Sequence, residues 1–198
     1  MSRPLGAAVV ALSIVAGTSV GHARTCEASD ADVDRLERLS EAWSESLSEA
    51  RRSGAVPALR RARAAVRETV SLDRPHPTPG HYQCRTFKLG SHDGLTPFIA
   101  YGWFRCSVEL TPGGDLILTK HSGSQRQDGL ICPGPAGTLQ FVGTMAWGDE
   151  RGYPTYGADR DRDLIGRVER IGDDRWRVAF PWPRHESKLD ILELRRVR

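Results

Sequence analysis

The densest run of side chains able to do chemistry is Lys120, His121, Ser122, Gly123, Ser124, Gln125 and Arg126. It gathers an amine, an imidazole, two hydroxyls, an amide and a guanidinium at the predicted end of a strand, where loops commonly carry sites. Such a set can hold an anion or a polar ligand. It could also transfer an acyl group if a neighbouring base activated one of the serines. No G-x-S-x-G turn surrounds Ser122 or Ser124, so the spacing presents neither as a nucleophile. A polar turn is the plainest account of the run, a binding site or hydrogen-bond network comes next, and catalysis last.

Three further groups invite a chemical reading. Asp159, Asp161 and Asp163 alternate as in a calcium loop, but Leu164 and Arg170 stand where that loop needs glycine and glutamate. With Arg160 and Arg162 between them, they read as a solvated ion-pair loop. His185, Glu186 and Ser187 supply the members of a triad, yet adjacency in sequence establishes no geometry. Trp103, Trp147, Trp176 and Trp182 could line a cavity, although large aromatics in a β-domain more often build its core. No catalytic residue, metal ligand set or cofactor motif is assigned.

Four cysteines remain, Cys26, Cys84, Cys106 and Cys132, with no C-x-x-C spacing that would suit zinc. An even count in an exported chain reads as two disulfides. Export is expected from the first residues: Arg3 gives a positive start, residues 5–20 are apolar, and Gly21 and Ala23 form a small-x-small cleavage site. Cleavage after Ala23 leaves a periplasmic or secreted protein. The apolar stretch falls short of the ~20 residues needed to span a bilayer, so no integral membrane segment is expected after cleavage. Of 28 basic residues Arg3 leaves with the signal, so 27 face 25 acidic ones. Near-neutrality, with arginines interleaved among acids, argues against a nucleic-acid partner.

The elements that must position these groups fall into two halves. Over residues 30–52, Val33, Leu36, Trp43, Leu47 and Ala50 mark one face of a helix, and Val56, Leu59, Ala62, Val66 and Val70 mark a second after Gly54. A helical hairpin is therefore predicted over residues 24–74, with Glu49, Glu45 and Glu41 set against Arg60, Arg63 and Arg67. A stiff Pro-rich connector follows at 75–79. Beyond it, period-two runs at 81–89, 98–110, 115–122, 138–146, 164–171, 175–180 and 188–194 are separated by Gly, Pro and Asp turns. Seven or eight short strands over residues 80–198 point to an antiparallel barrel or sandwich, and closure is favoured because it removes exposed edges. The class is thus α+β, a helical hairpin followed by an antiparallel, closed barrel of calycin or lipocalin type. A hairpin centred near Leu95 sets Cys84 directly opposite Cys106, within disulfide range. Cys26 is then left with Cys132.

Gly80-His81-Tyr82 resembles the Gly-x-Trp opening of lipocalin-type barrels, with tyrosine for tryptophan. A broader resemblance runs from residue 80 to 194. Its pieces are Tyr82-Gln83-Cys84-Arg85 with Lys88-Leu89-Gly90, Gly123-Ser124-Gln125-Arg126, Tyr156-Gly157-Ala158-Asp159, Arg170-Ile171-Gly172 with Arg175-Trp176-Arg177, and Glu186-Ser187-Lys188-Leu189-Asp190. In these the chain resembles an exported bacterial family known as domain of unknown function 4893, which implies relatives but no activity. The expected function is a non-catalytic module that binds a small molecule or an envelope protein, through Arg85, Lys120, Ser122, Ser124, Gln125, Arg126 and Tyr156. An envelope hydrolase using residues 120–126 and a structural envelope factor are the alternatives. A cavity of ~300 Å³ or more would favour a carried ligand, and a barrel filled by side chains would favour a surface or structural role.

Overall fold

Period-two alternation in the second half of the chain becomes a barrel because every strand buries one face inside it. The structure is a computed structural model that describes residues 26–198 apart from Val70 and Asp93, so the predicted signal segment lies outside the described residues. Nine strands follow three helices: β1 (Gly80–Leu89), β2 (Phe98–Ala100), β3 (Phe104–Leu110), β4 (Leu116–Lys120), β5 (Gln125–Pro133), β6 (Leu139–Trp147), β7 (Asp163–Gly172), β8 (Arg175–Pro181) and β9 (Leu189–Arg196). All pairings are antiparallel, in the order β1-β3-β4-β5-β6-β7-β8-β9, and β9 returns to β1 to close an eight-stranded barrel. The ninth strand, β2, lies outside this ring and pairs only with the far end of β1, where Phe87 faces Ala100.

Side chains fill the barrel. Tyr82, Val108, Leu118, Phe141, Val168, Trp176, Val178, Phe180, Leu192 and Leu194 form one buried cluster. Within it Phe141 meets Phe180 edge to face at 5.4 Å, and Tyr82 meets Trp176 likewise at 5.9 Å. Eight strands enclose just enough room for such a packing. Gly129 and Gly143 are paired across β5 and β6 because a Cβ on either would come within 2.6 to 2.7 Å of the Phe141 ring.

The sheet's outer face carries the helices. They are α1 (Asp30–Glu37), α2 (Leu39–Arg52) and α3 (Val56–Arg61), so the expected two-helix hairpin is three short helices. Ser29 caps α1 by accepting from the Asp32 N–H. The single long helix predicted over 30–52 breaks at Arg38, whose carbonyl also takes the Trp182 indole N–H at 3.3 Å. The bend lets α1 lie along β7 while α2 crosses β8 and β1 with Trp43 buried beneath it. The second predicted helix stops at Arg61, and in the stretch beyond it the carbonyls of Ala65, Arg67 and Thr69 accept from Arg177. Nor do the predicted Glu–Arg pairs form. Glu45 and Glu49 meet Lys188, and Glu41 meets Arg38.

Both disulfides close as expected, Cys84 with Cys106 and Cys26 with Cys132. The register differs by two residues, with Cys84 opposite Phe104 and Cys106 opposite Tyr82, so the bond crosses the ladder diagonally at a Cα separation of 5.9 Å. A slip of two preserves the face on which each side chain lies, and both cysteines stay inside the barrel. The predicted strand 98–110 is interrupted at Tyr101-Gly102-Trp103. The strand missing from the sequence reading is β5, which begins at Gln125 and thus takes Gln125 and Arg126 out of the predicted turn.

Candidate functional site

One end of the barrel interior is polar. There the apolar filling gives way to Thr86 and Lys88 from β1, Lys120 from β4, Gln125 and Gln127 from β5, and Asp190 from β9. Lys88, Lys120 and Gln127 are each 5 % exposed or less. The period of two that buries Tyr82 and Cys84 carries on along β1 and delivers Thr86 and Lys88 to the same interior face.

Lys88 lies 3.0 Å from both Asp190 and Glu186, and Asp190 also accepts from the Ser187 hydroxyl. Burial works against the Lys88 ammonium, but these two carboxylates outweigh it and hold its pKa above the usual lysine value. Burial likewise pushes the Asp190 carboxyl upward, opposed by Lys88 and Ser187. Lys120 has no such carboxylate. Its ammonium donates to the Gln125 carbonyl and sits 4.3 Å from the centre of the Phe104 ring. Burial above all, then the charge of Lys88, lower its pKa to about 8, with Asp190 opposing them and Arg126 adding to them. A buried lysine with a lowered pKa in a cleft is a common mark of a functional site.

The cleft at Lys120 has a volume of about 100 Å³ and is shared by Thr86, Tyr101, Phe104, Ser124, Gln125 and Glu186. The Gln125 amide also faces the Glu186 carboxylate at 3.4 Å. Beside the cleft, a recess of about 20 Å³ is lined by Gln127, Lys88 and Asp190. Two buried acceptors, the Thr86 hydroxyl and the Gln127 amide oxygen, make no hydrogen bond with any described residue. Leaving such groups unmatched costs roughly 1 to 3 kcal/mol each, so a ligand that pairs with them here recovers that cost, although Trp176 Nε1 in the barrel core and Thr144 Oγ1 are unmatched as well. Glu186 holds its carboxylate over this end from a positive φ of 67°, a conformation disfavoured for a side chain of its kind.

Of the residues singled out from sequence, Lys120, Ser124 and Gln125 line this cleft together. Ser122 points its oxygen at the Arg105 N–H. Arg126, on the outer face, donates to the Glu150 carbonyl and lies over Tyr153. Arg85, also outside, pairs with the fully buried Glu193 and stacks between Phe87 and Trp103. Tyr156 is bound to Asp32 and Ser29 at the foot of α1. The structure brings three of the seven into one cleft and scatters the other four. Glu186, which the sequence offered as a member of a triad, joins Thr86, Lys88 and Asp190 to complete the polar end. For Lys88 one signal was the scarcity of lysine, which occurs only at 88, 120 and 188 among 28 basic residues, and Lys88, Glu186 and Asp190 all fall in stretches that carry the family resemblance.

A family description, domain of unknown function (DUF4893), matches residues 25–194. The chain belongs to this family. The match takes in the helices as well as the barrel, so in DUF4893 the two are one unit of sequence. No curated protein and no solved structure matched the chain.

Hydrolytic machinery needs a serine, a histidine and a carboxylate in relay. Ser107, His121 and Glu109 do meet on the outer face of the barrel, with the Ser107 hydroxyl 2.8 Å from His121 Nε2 and 2.9 Å from Glu109. The carboxylate therefore contacts the serine instead of orienting the imidazole, which is not the connectivity of a triad. Ser187 is bound to Asp190, and His185 rests edge-on against Trp147. Asp159 pairs with Arg162, and Asp163 accepts from the Gly157 N–H. Among the described residues, no His, Cys, Asp and Glu side chains group as a metal site would require.

Proposed function

We propose that this DUF4893 protein is an exported, non-catalytic binding module whose barrel end takes a small anionic group, such as a carboxylate. The observation that carries this reading is the Lys120 cleft. A buried amine without a carboxylate partner, a buried hydroxyl without a partner and a flanking amide converge on about 100 Å³. That is room for about three waters, far below the ~300 Å³ or more of a carried ligand. The filled barrel thus supports recognition of a terminal group of a larger molecule or of a partner protein, as opposed to lipocalin-like carriage. An anion beside Lys120 would restore the charge balance that Lys88 already has from Asp190 and Glu186, and Thr86 would donate its hydroxyl to the same anion.

Acetate is the simplest probe. Nuclear magnetic resonance titration is expected to show the Lys120 amine titrating near 8, and acetate raising that value because the anion favours the ammonium. Acetate binding accordingly weakens as pH rises through 8. Lys120→Met is expected to abolish the response and also to stabilise the fold at pH 7 by about 1 to 3 kcal/mol, since it removes a poorly solvated charge. The sign follows from proton counts. The unfolded chain holds this proton up to about 10.5 and the folded one only to about 8, so between them stability rises with pH. The methionine variant loses that rise. An unresponsive Lys120 resonance, or a Lys120→Met protein that still binds acetate, would sink the reading.

Export rests on the sequence of residues 1–23 and is supported by two disulfides. Mass measurement of protein recovered from the cell envelope is expected to find a chain that starts at Arg24. A chain retaining Met1 there would contradict cleavage.

A further inference from the structure

The fold leaves four arginines around an apolar groove on the helical face, which shares no lining residue with the Lys120 cleft. Between α2, α3 and the stretch at 62–68 lies an open groove of about 710 Å³, with Leu47, Val56, Leu59 and Val66 forming its apolar lining. Arg51, Arg60, Arg63 and Arg67 stand around it. Arg63 and Arg67 also border an adjoining hollow of about 410 Å³ that reaches Ile171. Among the described residues no carboxylate pairs with any of these four arginines. The acids that could have paired are engaged on another face, Glu45 and Glu49 by Lys188 and Glu41 by Arg38. The one carboxylate in the groove, Glu68, takes the Ser40 hydroxyl at 3.0 Å.

The far wall of the groove has no regular secondary structure, yet it is fixed. Arg177, fully buried on β8, donates to the carbonyls of Ala65, Arg67 and Thr69. It thereby sets the backbone that presents Arg63, Val66 and Arg67.

We propose that this groove binds a single-chain anionic amphiphile, its hydrocarbon tail on the apolar lining and its carboxylate among the arginines. Charge complementarity selects the head, because four cations face one acid. Size and shape select the tail. The volume lies in the range of small-molecule sites, and α3, at six residues, offers only about 9 Å of helix. A partner helix of several turns would overrun that length, whereas a flexible chain bends into it. The apolar lining is recessed between elements, unlike the protruding apolar face with which a helix lies on a membrane surface.

The test is calorimetric titration of the purified protein with sodium decanoate kept below micelle formation. In the Lys120→Met protein, where the barrel end cannot take the carboxylate, one site is expected, with affinity falling as salt rises. Arg63→Gln with Arg67→Gln is expected to weaken it at least tenfold at unchanged thermal stability, since both side chains are exposed. Decyltrimethylammonium, which has the same tail and opposite head, is expected to bind at least tenfold more weakly than decanoate. Methyl resonances of Leu47, Leu59 and Val66 shift with decanoate. Equal binding of the cationic amphiphile would reduce the groove to a nonspecific apolar surface. Sedimentation with anionic lipid vesicles, or binding of an acidic peptide, without any binding of decanoate monomer would equally overturn the proposal. Lys120→Met leaves decanoate binding intact, so failure at the barrel end and failure at the groove are read separately.

Discussion

Arg177→Met is expected to lower the unfolding free energy by about 3 to 5 kcal/mol, the largest loss for any single replacement considered. The guanidinium is fully buried on the outer face of β8, 4.9 Å from the Trp43 ring centre. Its Nε donates to Glu169 at 2.6 Å, and its remaining nitrogens serve the three carbonyls of the stretch after α3. Methionine matches part of the volume but strands Glu169 and all three carbonyls. Lysine keeps the charge but not the planar fork, so Arg177→Lys is expected to recover only part of the loss. Chemical denaturation measures the change, and hydrogen exchange is expected to localise it to residues 62–69. An Arg177→Met protein within 1 kcal/mol of the parent would show that the segment is held by packing of Ala65 and Val66 alone.

Loss of the Cys26–Cys132 bond is expected to cost about 4 to 5 kcal/mol in the chain-entropy account, for a loop of 106 residues. The bond fastens the start of α1 to the outer face of β5, where Cys132 sits among Leu36, Leu130, Val142 and Ile165. Without it, α1 depends on that small cluster and on the Asp32 contacts with Arg35 and Tyr156. Cys26→Ala with Cys132→Ala, followed by denaturation in urea, gives the number. The 22-residue Cys84–Cys106 loop is worth about 3 kcal/mol by the same reasoning. A smaller loss for the long loop than for the short one would mean that native-state packing, not chain entropy, decides the order.

The barrel was legible because its strands repeat an alternation that only a buried interior rewards; Cys84–Cys106 followed from a hairpin register that is off by two but keeps the same face, and Cys26–Cys132 by elimination. β5 was missed for a physical reason. Gly129 and Pro133 read as breakers, yet glycine is required at 129 by the Phe141 ring, and Pro133 ends the strand. The helical boundaries were missed because distant side chains engage the backbone there: Trp182 takes the carbonyl at which α1 ends, and Arg177 holds the stretch after α3. Of the site, Lys120, Ser124 and Gln125 stood out as a polar run. Lys88 and Asp190 did not, since about a hundred residues separate them and only closure of β1 against β9 sets them side by side.

That closing ladder also governs how the molecule comes to be made. It joins Leu89 to Leu189 and Tyr82 to Arg196, partners a hundred or more residues apart. Contacts so distant return nothing until a long loop has been closed, which places such topologies among the slow folders, in milliseconds to seconds. Until β9 arrives, β1 and β8 are open edges able to pair with another copy of the chain. All four cysteines precede β6, so both cross-links can form while the ring is still open. An oxidised nascent sheet then waits for its last strand with fewer ways to go wrong.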